Sequence, residues 1–188
     1  LSFDLPRALW RIRPQRTAVY RRRAIDALPI VGGAAWAGPQ LLLDTCVYID
    51  VLQSRTPDVV DELLDARIIN HSTICLAEMT HLLGRLDPTH GETSGVVEAL
   101  QQTVGDIADH RLSAPSKAAL GEAGMLAGLV SRLFRIGRTD RAQLLNDASL
   151  YLQAVECGWT ILTRNVANFD CLEQVLPENR ILFYEQQS

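Results

Sequence analysis

The four cysteines of this 188-residue chain, Cys46, Cys75, Cys157 and Cys171, form no CxxC or CxxxxH pattern. Neither a structural zinc site nor a disulfide framework is indicated, and they read as free thiols of a reducing cytosol. His71, His81, His90 and His110 share no ligand-like spacing and are assigned to structure or surface. No run of 18 or more apolar residues exists that would span a bilayer. A GxxxxGK[ST] loop is missing, which excludes nucleotide hydrolysis on a P-loop, and there is no internal repeat or low-complexity segment. Aromatic residues make up only 6% of the chain, so any nucleic acid it binds must be gripped by backbone charge and shape more than by stacking.

What is present is a charge asymmetry. The formal charge is -4, but residues 1–40 carry seven Arg and two Asp, net +5, which leaves 11 basic and 20 acidic residues, net -9, in the remainder. The reading is a basic N-terminal arm and linker, residues 1–39, ahead of one acidic domain, residues 40–188. Arg21-Arg22-Arg23 followed by the apolar stretch 27–37, ending in Ala35-Trp36-Ala37, resembles a signal-peptide pattern. Asp26, Pro29 and Gly32-Gly33 interrupt it, so Pro29, Gly32, Gly33, Gly38 and Pro39 are read as a linker. The arm is open to two readings. It is either an extension packed on the body or on a second subunit through Trp10 and Tyr20, or an RNA-backbone contact through Arg11, Arg13, Arg16 and Arg21 to Arg23.

Beyond residue 40, short apolar runs alternate with longer helical ones, the pattern of an α/β domain with a mainly parallel central sheet and helices on both faces. Strands are expected at 40–43, 67–70, 160–163 and 180–184. Helices are expected at 45–52, 57–64, 73–83, 92–108, 116–134 and 143–156, the last closed by Gly158. On this scaffold three carboxylates stand against apolar surroundings. Asp44 follows Leu41-Leu42-Leu43 at the carboxyl end of the first strand, where open α/β sheets build their sites. Glu78 lies among Ile74, Cys75, Leu76, Ala77 and Met79, and Asp147 precedes Ala148, Leu150, Tyr151 and Leu152. Converging buried carboxylates repel one another and need a cation or a raised pKa. Hard oxygen ligands with few histidines suit Mg2+ or Mn2+. The alternatives are helix N-caps for Asp44 and Asp147 and a solvated helix position for Glu78.

The segments Leu42-Leu43-Asp44-Thr45-Cys46-Val47-Tyr48-Ile49, 72–84 with Glu78, Asn146-Asp147-Ala148-Ser149-Leu150, and Leu162-Thr163-Arg164-Asn165 with Asn168-Phe169 together resemble a PIN domain. They are similar, more narrowly, to the VapC-like toxin ribonucleases of type II toxin-antitoxin modules. The resemblance covers residues 41–184. It implies a PIN-like fold and endonucleolytic hydrolysis of RNA, with Mg2+ or Mn2+ held by Asp44, Glu78 and Asp147. It also implies a cognate antitoxin, a homodimer and a cytoplasmic location. Thr45, Thr163 and Arg164 become candidate substrate contacts. Family members usually carry Asn where Cys46 stands, and many carry a fourth acid near Thr163-Arg164. This chain offers Asn165 as the further metal position, with Asp170 as the other candidate. Two other functions remain open: a catalytically weakened PIN-like RNA-binding or interaction module, and a phosphatase-like hydrolase with Asp44 as nucleophile. The second would want another Asp at the place of Cys46.

Overall fold

The run Leu41-Leu42-Leu43 is buried at every position, as a parallel strand covered on both faces requires. In the computed structural model, which describes residues 3–32, 37–137 and 139–187, it forms β1 (Leu41–Leu43). Gly33, Ala35 and Trp36 of the expected linker stretch lie outside the described residues. The other strands are β2 (Ile69–Ser72), β3 (Leu112–Ser113), β4 (Thr160–Thr163) and β5 (Ile181–Phe183). They join β1 in one sheet of order β3-β2-β1-β4-β5, and all pairings are parallel. From β1 the chain builds outward through β2 and β3, then returns to the other side of β1 for β4 and β5. The crevice between the carboxyl ends of β1 and β4 is therefore a topological switch point.

Helices α1 (Leu5–Ile12), α2 (Thr45–Leu52), α3 (Asp58–Ala66), α4 (Thr73–Arg85), α5 (Thr93–Gly105), α6 (Lys117–Leu133), α7 (Arg141–Cys157) and α8 (Val166–Val175) flank the sheet. The α/β fold expected from the sequence is the fold found. Its helix ends follow local chemistry: Ser72 caps α4 through Ile74 N–H, and Gly158 closes α7 with φ 71°, a conformation glycine adopts without strain. Differences are local. Pro57 is the residue before α3 and not part of its first turn. Arg67 ends α3, donating its N–H to the Leu63 carbonyl, so β2 starts two residues later than expected.

Two elements, α1 and the two-residue β3, were not anticipated, and α8 starts at Val166 where a helix was expected only from Asp170. The first belongs to the arm, which is ordered against the body. Asp4 caps α1, Ala8 and Ile12 are fully buried, and Arg11 bridges Glu122 (2.5 Å) and Glu178 (2.7 Å). Tyr20 packs against Phe134 with ring centroids 5.6 Å apart, but Trp10 is 74% exposed and anchors nothing. Ile30 pairs with Phe183 in a parallel bridge along the free edge of β5. Arg16 donates to the Ile12 and Val175 carbonyls and Arg22 to the Ala167 carbonyl. Arg23 donates to both oxygens of the fully buried Asp170, through Nε at 2.6 Å and its backbone N–H at 2.9 Å.

Removing one partner of such a pair leaves the other uncompensated. With Arg23 one-third exposed, the low end of the usual range applies to Asp170→Ala, about 3 kcal/mol. Thermal unfolding should register this as a drop of roughly 6–12 °C. A drop of under a degree would mean that the arm is held elsewhere.

Candidate functional site

Because Leu43 pairs with Leu162, Asp44, the first residue past β1, stands beside Thr163, the last residue of β4. The Thr163 hydroxyl donates to Asp44 Oδ2 at 2.6 Å. Asp44 is also the N-cap of α2, accepting the Thr45 N–H at 2.7 Å on Oδ1, so the capping alternative holds together with the site position. The Cys46 thiol is the third donor to this carboxylate and the second on Oδ2, at 3.1 Å. Burial first, and then the neighbouring Asp44 charge, push the Cys46 thiol's pKa up, which keeps it protonated. At this position the thiol supplies a donor to the aspartate.

Glu78, half-buried on α4, accepts the Thr45 hydroxyl at 2.5 Å and the Asn146 amide at 2.8 Å. Asp147 lies in the second turn of α7, whose N-cap is Asp140, so it is not a cap. Its Oδ2 accepts the Asn165 amide at 3.1 Å and the Asn168 amide at 2.7 Å. Asn165 in turn caps α8 through the Asn168 N–H, and residues three apart on a helix share a face, so both amides reach one carboxylate.

The three acids line a single cavity of about 1100 Å³ at the carboxyl edge of the sheet, together with Thr45, Cys46, Arg164 and Asn165. Burial is the main cause that raises the pKa of Asp44; hydrogen bonds from Thr163 and Cys46 oppose it, and the charge of Glu78 adds to it. Asp147 is pushed well above the ordinary carboxylate value, by burial first and by the charge of Asp44 next. Among the described residues, none of the three forms an ion pair. In their present rotamers each is turned onto protein donors, and among the described residues no three His, Cys, Asp or Glu side chains stand close enough to grip one ion. The donor set is nonetheless what a hard divalent cation takes: uncompensated, mutually repelling carboxylate oxygens facing an open cavity. Ligation would require side-chain rotation and release of some of these hydrogen bonds.

The other residues singled out in the sequence separate cleanly. Thr45 and Thr163 direct their hydroxyls at carboxylates. Arg164 reaches the cavity rim, but its Nε donates to Asp50 Oδ2 at 2.6 Å. Asp170 is taken up by Arg23 and does not line the cavity, whereas Asn165 does. Sequence reasoning gave no role to Asn146 and Asn168, although both lie in the segments quoted above. Asp50 was overlooked too. It is fully buried and also accepts the Tyr184 hydroxyl at 2.7 Å and the Gln186 amide at 3.1 Å. Its one visible signal is an acid in an otherwise apolar helix, six residues after Asp44.

No family model and no curated protein sequence matches the chain. Solved structures do. A chain of VapBC2 from Rickettsia felis, solved bound to a DNA fragment from their promoter, superposes with a TM-score of 0.53 and 17% identity, over 77% of this chain and 98% of that one. FitAB bound to the IR36 DNA fragment gives 0.53 and 20%, over 77% and 94%. FitAcB from Neisseria gonorrhoeae gives 0.53 and 20%, over 77% and 96%. The chain therefore shares the fold of these chains, the α/β architecture with a parallel central sheet that the sequence led us to expect. Among the described residues, no helix is long and apolar enough to cross a membrane.

Proposed function

We propose that the chain is a divalent-metal-dependent endoribonuclease and the toxin of a toxin-antitoxin pair, restrained by a cognate antitoxin and self-associating as a homodimer. The observation that carries the enzymatic reading is the convergence of Asp44, Glu78 and Asp147, from three separate elements, on one cavity with no cationic partner among the described residues. The likeness in fold to chains of VapBC2 and FitAB supports the toxin reading.

Asp44, Glu78 and Asp147 would hold Mg2+ or Mn2+. When bound, such an ion offsets phosphate charge and makes water a stronger nucleophile. One of these carboxylates would also accept the proton of the attacking water. Thr45, Thr163, Asn146 and Asn168 hold the acids in the metal-free arrangement through the hydrogen bonds described above, some of which ligation would release. Incubating RNA with the protein in Mg2+, in Mn2+ and in chelator tests the reading: internal cuts made only with metal are expected, and intact RNA under all three conditions would refute it.

Asn165 bears on the number of ions. An amide adds no charge, so a second divalent ion loses a Coulombic partner worth several kcal/mol at an effective dielectric constant of about 20. Asn165→Asp should tighten a weak second site by tenfold or more in calorimetric titration. An unchanged isotherm would count against Asn165 as a ligand position. A second reading, an RNA-binding or interaction module with weakened chemistry, is favoured by the protein donors already engaging each carboxylate. RNA binding without metal-dependent cleavage would select it.

A further inference from the structure

The cavity extends beyond the three acids. Along α4, Glu78, His81, Leu82 and Arg85 recur at intervals of three and four residues and therefore share one face, and all four line the cavity. From Glu78 to Arg85 this face runs about 10 Å along the helix axis, at ~1.5 Å per residue. His81 and Arg85 are exposed, and neither ion-pairs among the described residues. The opposite wall is the start of α7 and the turn before it, where exposed Thr139 and Gln143 also line the cavity. The result is an open slot leading away from the acids, with cationic or donor groups on one wall and, among the described residues, neutral polar groups on the other. Among the described residues, Arg164 and Arg85 are the arginines that line the cavity, and Arg164 is already engaged by Asp50, which leaves Arg85 able to receive a further anion.

We infer that this slot between α4 and α7 holds the single RNA strand on one side of the scissile phosphate, with Arg85 and His81 donating to phosphates one or two nucleotides away from the cut. The inference rests on the nuclease reading for its substrate class. Its physical content is separate: α4 carries the metal-ligand candidate Glu78 at one end of a face and a phosphate grip at the other, so the strand is positioned relative to the acids by a single rigid helix. A chain of phosphates suits the slot better than a folded partner because the donor groups of His81 and Arg85 are spaced along one helix face. Arg85 and His81 are positioning residues here, since they touch the substrate backbone away from the reacting atoms.

The test uses the full chain and a labelled single-stranded RNA of mixed sequence, with binding followed by fluorescence anisotropy in chelator over a range of salt. Each lost phosphate contact should lower the slope of log K against log salt by about 0.7 for a single strand. Arg85→Gln should show that drop with an affinity loss of roughly five- to tenfold, and His81→Gln a smaller loss. Arg7→Gln, an exposed arginine of α1 outside the cavity, should leave both unchanged. In cleavage, Arg85→Gln should raise KM by a similar factor with little change in kcat. A double variant, Arg85→Gln with His81→Gln, that keeps wild-type affinity and slope overturns the inference, as does a wild-type protein that binds no RNA. If wild-type protein binds RNA but never cuts it, the nuclease reading fails while the salt slopes still decide this one.

Discussion

Asp44→Asn should abolish metal-dependent cleavage, with a loss on the order of a thousandfold or more, about 4 kcal/mol of transition-state stabilisation, and Asp147→Asn should do the same. Both changes keep the shape and an acceptor oxygen for the Thr45 N–H, or for the Asn165 and Asn168 amides, while removing a formal charge. The control is what makes the result specific. Asp50 and Asp170 are also fully buried acids, but each is satisfied by an arginine and neither lines the cavity. Asp170→Asn should therefore lower the melting temperature and leave cleavage per folded molecule nearly intact, whereas Asp50→Asn also frees Arg164 at the cavity rim and is read for stability alone. Asp44→Asn should do the reverse, with lost cleavage and, in chelator, no loss of stability. Equal effects of Asp44→Asn, Asp147→Asn and Asp170→Asn on cleavage would mean that buried charge in general, and not this cavity, supports the activity.

The second large effect is on stability and its pH dependence. Asp44 and Asp147 have folded-state pKa values raised by burial and by neighbouring carboxylates. A carboxyl group raised in the folded state makes that state bind more protons than the unfolded one. Its contribution is thus fully present below the ordinary carboxylate pKa of about 4, and is lost as pH rises through the raised folded values. In chelator, the Asp44→Asn, Asp147→Asn double variant should gain on wild type as pH rises from about 5 to about 8, at roughly 2–4 °C per kcal/mol. Comparing the two proteins cancels whatever pH dependence the rest of the chain contributes to both. Divalent metal should reverse the order: a hundredfold excess over Kd contributes about 2.7 kcal/mol to wild type only. The gain from metal should grow with pH, since ligation requires the ionised carboxylates. A wild-type protein as stable as the variant at pH 8 in chelator, with no response to Mn2+, would contradict the electrostatic picture.

How much of this was legible in the sequence follows from the range of the forces involved. Asp44 was readable because a continuous apolar run ending in an acid is a local pattern, and β1 occupies the centre of the sheet where such a run belongs. Gly158 and Ser72 act within a turn of their helices and were equally open to reading. The donors around the acids were not: Asn146, Asn168 and Cys46 acquire their roles only when α4, α7, α8 and β1 meet. The fourth position is instructive. Asn165 and Asp170 are five residues apart, and on a helix of 3.6 residues per turn that puts them about 140° apart, so one faces the cavity and the other faces away. Seeing that required knowing that α8 begins at once after β4. Its buried Asp170 and Glu173 mask the apolar face, and their partners Arg23 and Tyr151 come from distant parts of the chain. α1 was hidden by composition, because its arginines drew it into a basic arm, yet Arg11 is neutralised by two glutamates far along the sequence. β3, two residues long, has no periodicity to read.

The most direct measurement of the central claim is calorimetric titration of Mn2+ into metal-free wild type and the Asp44→Asn variant at neutral pH. One well-defined site with proton release in wild type, absent from the variant, is the expected result. Wild type that takes up no Mn2+, or a variant that binds it as well as wild type does, would contradict the assignment of Asp44, Glu78 and Asp147 as a metal centre.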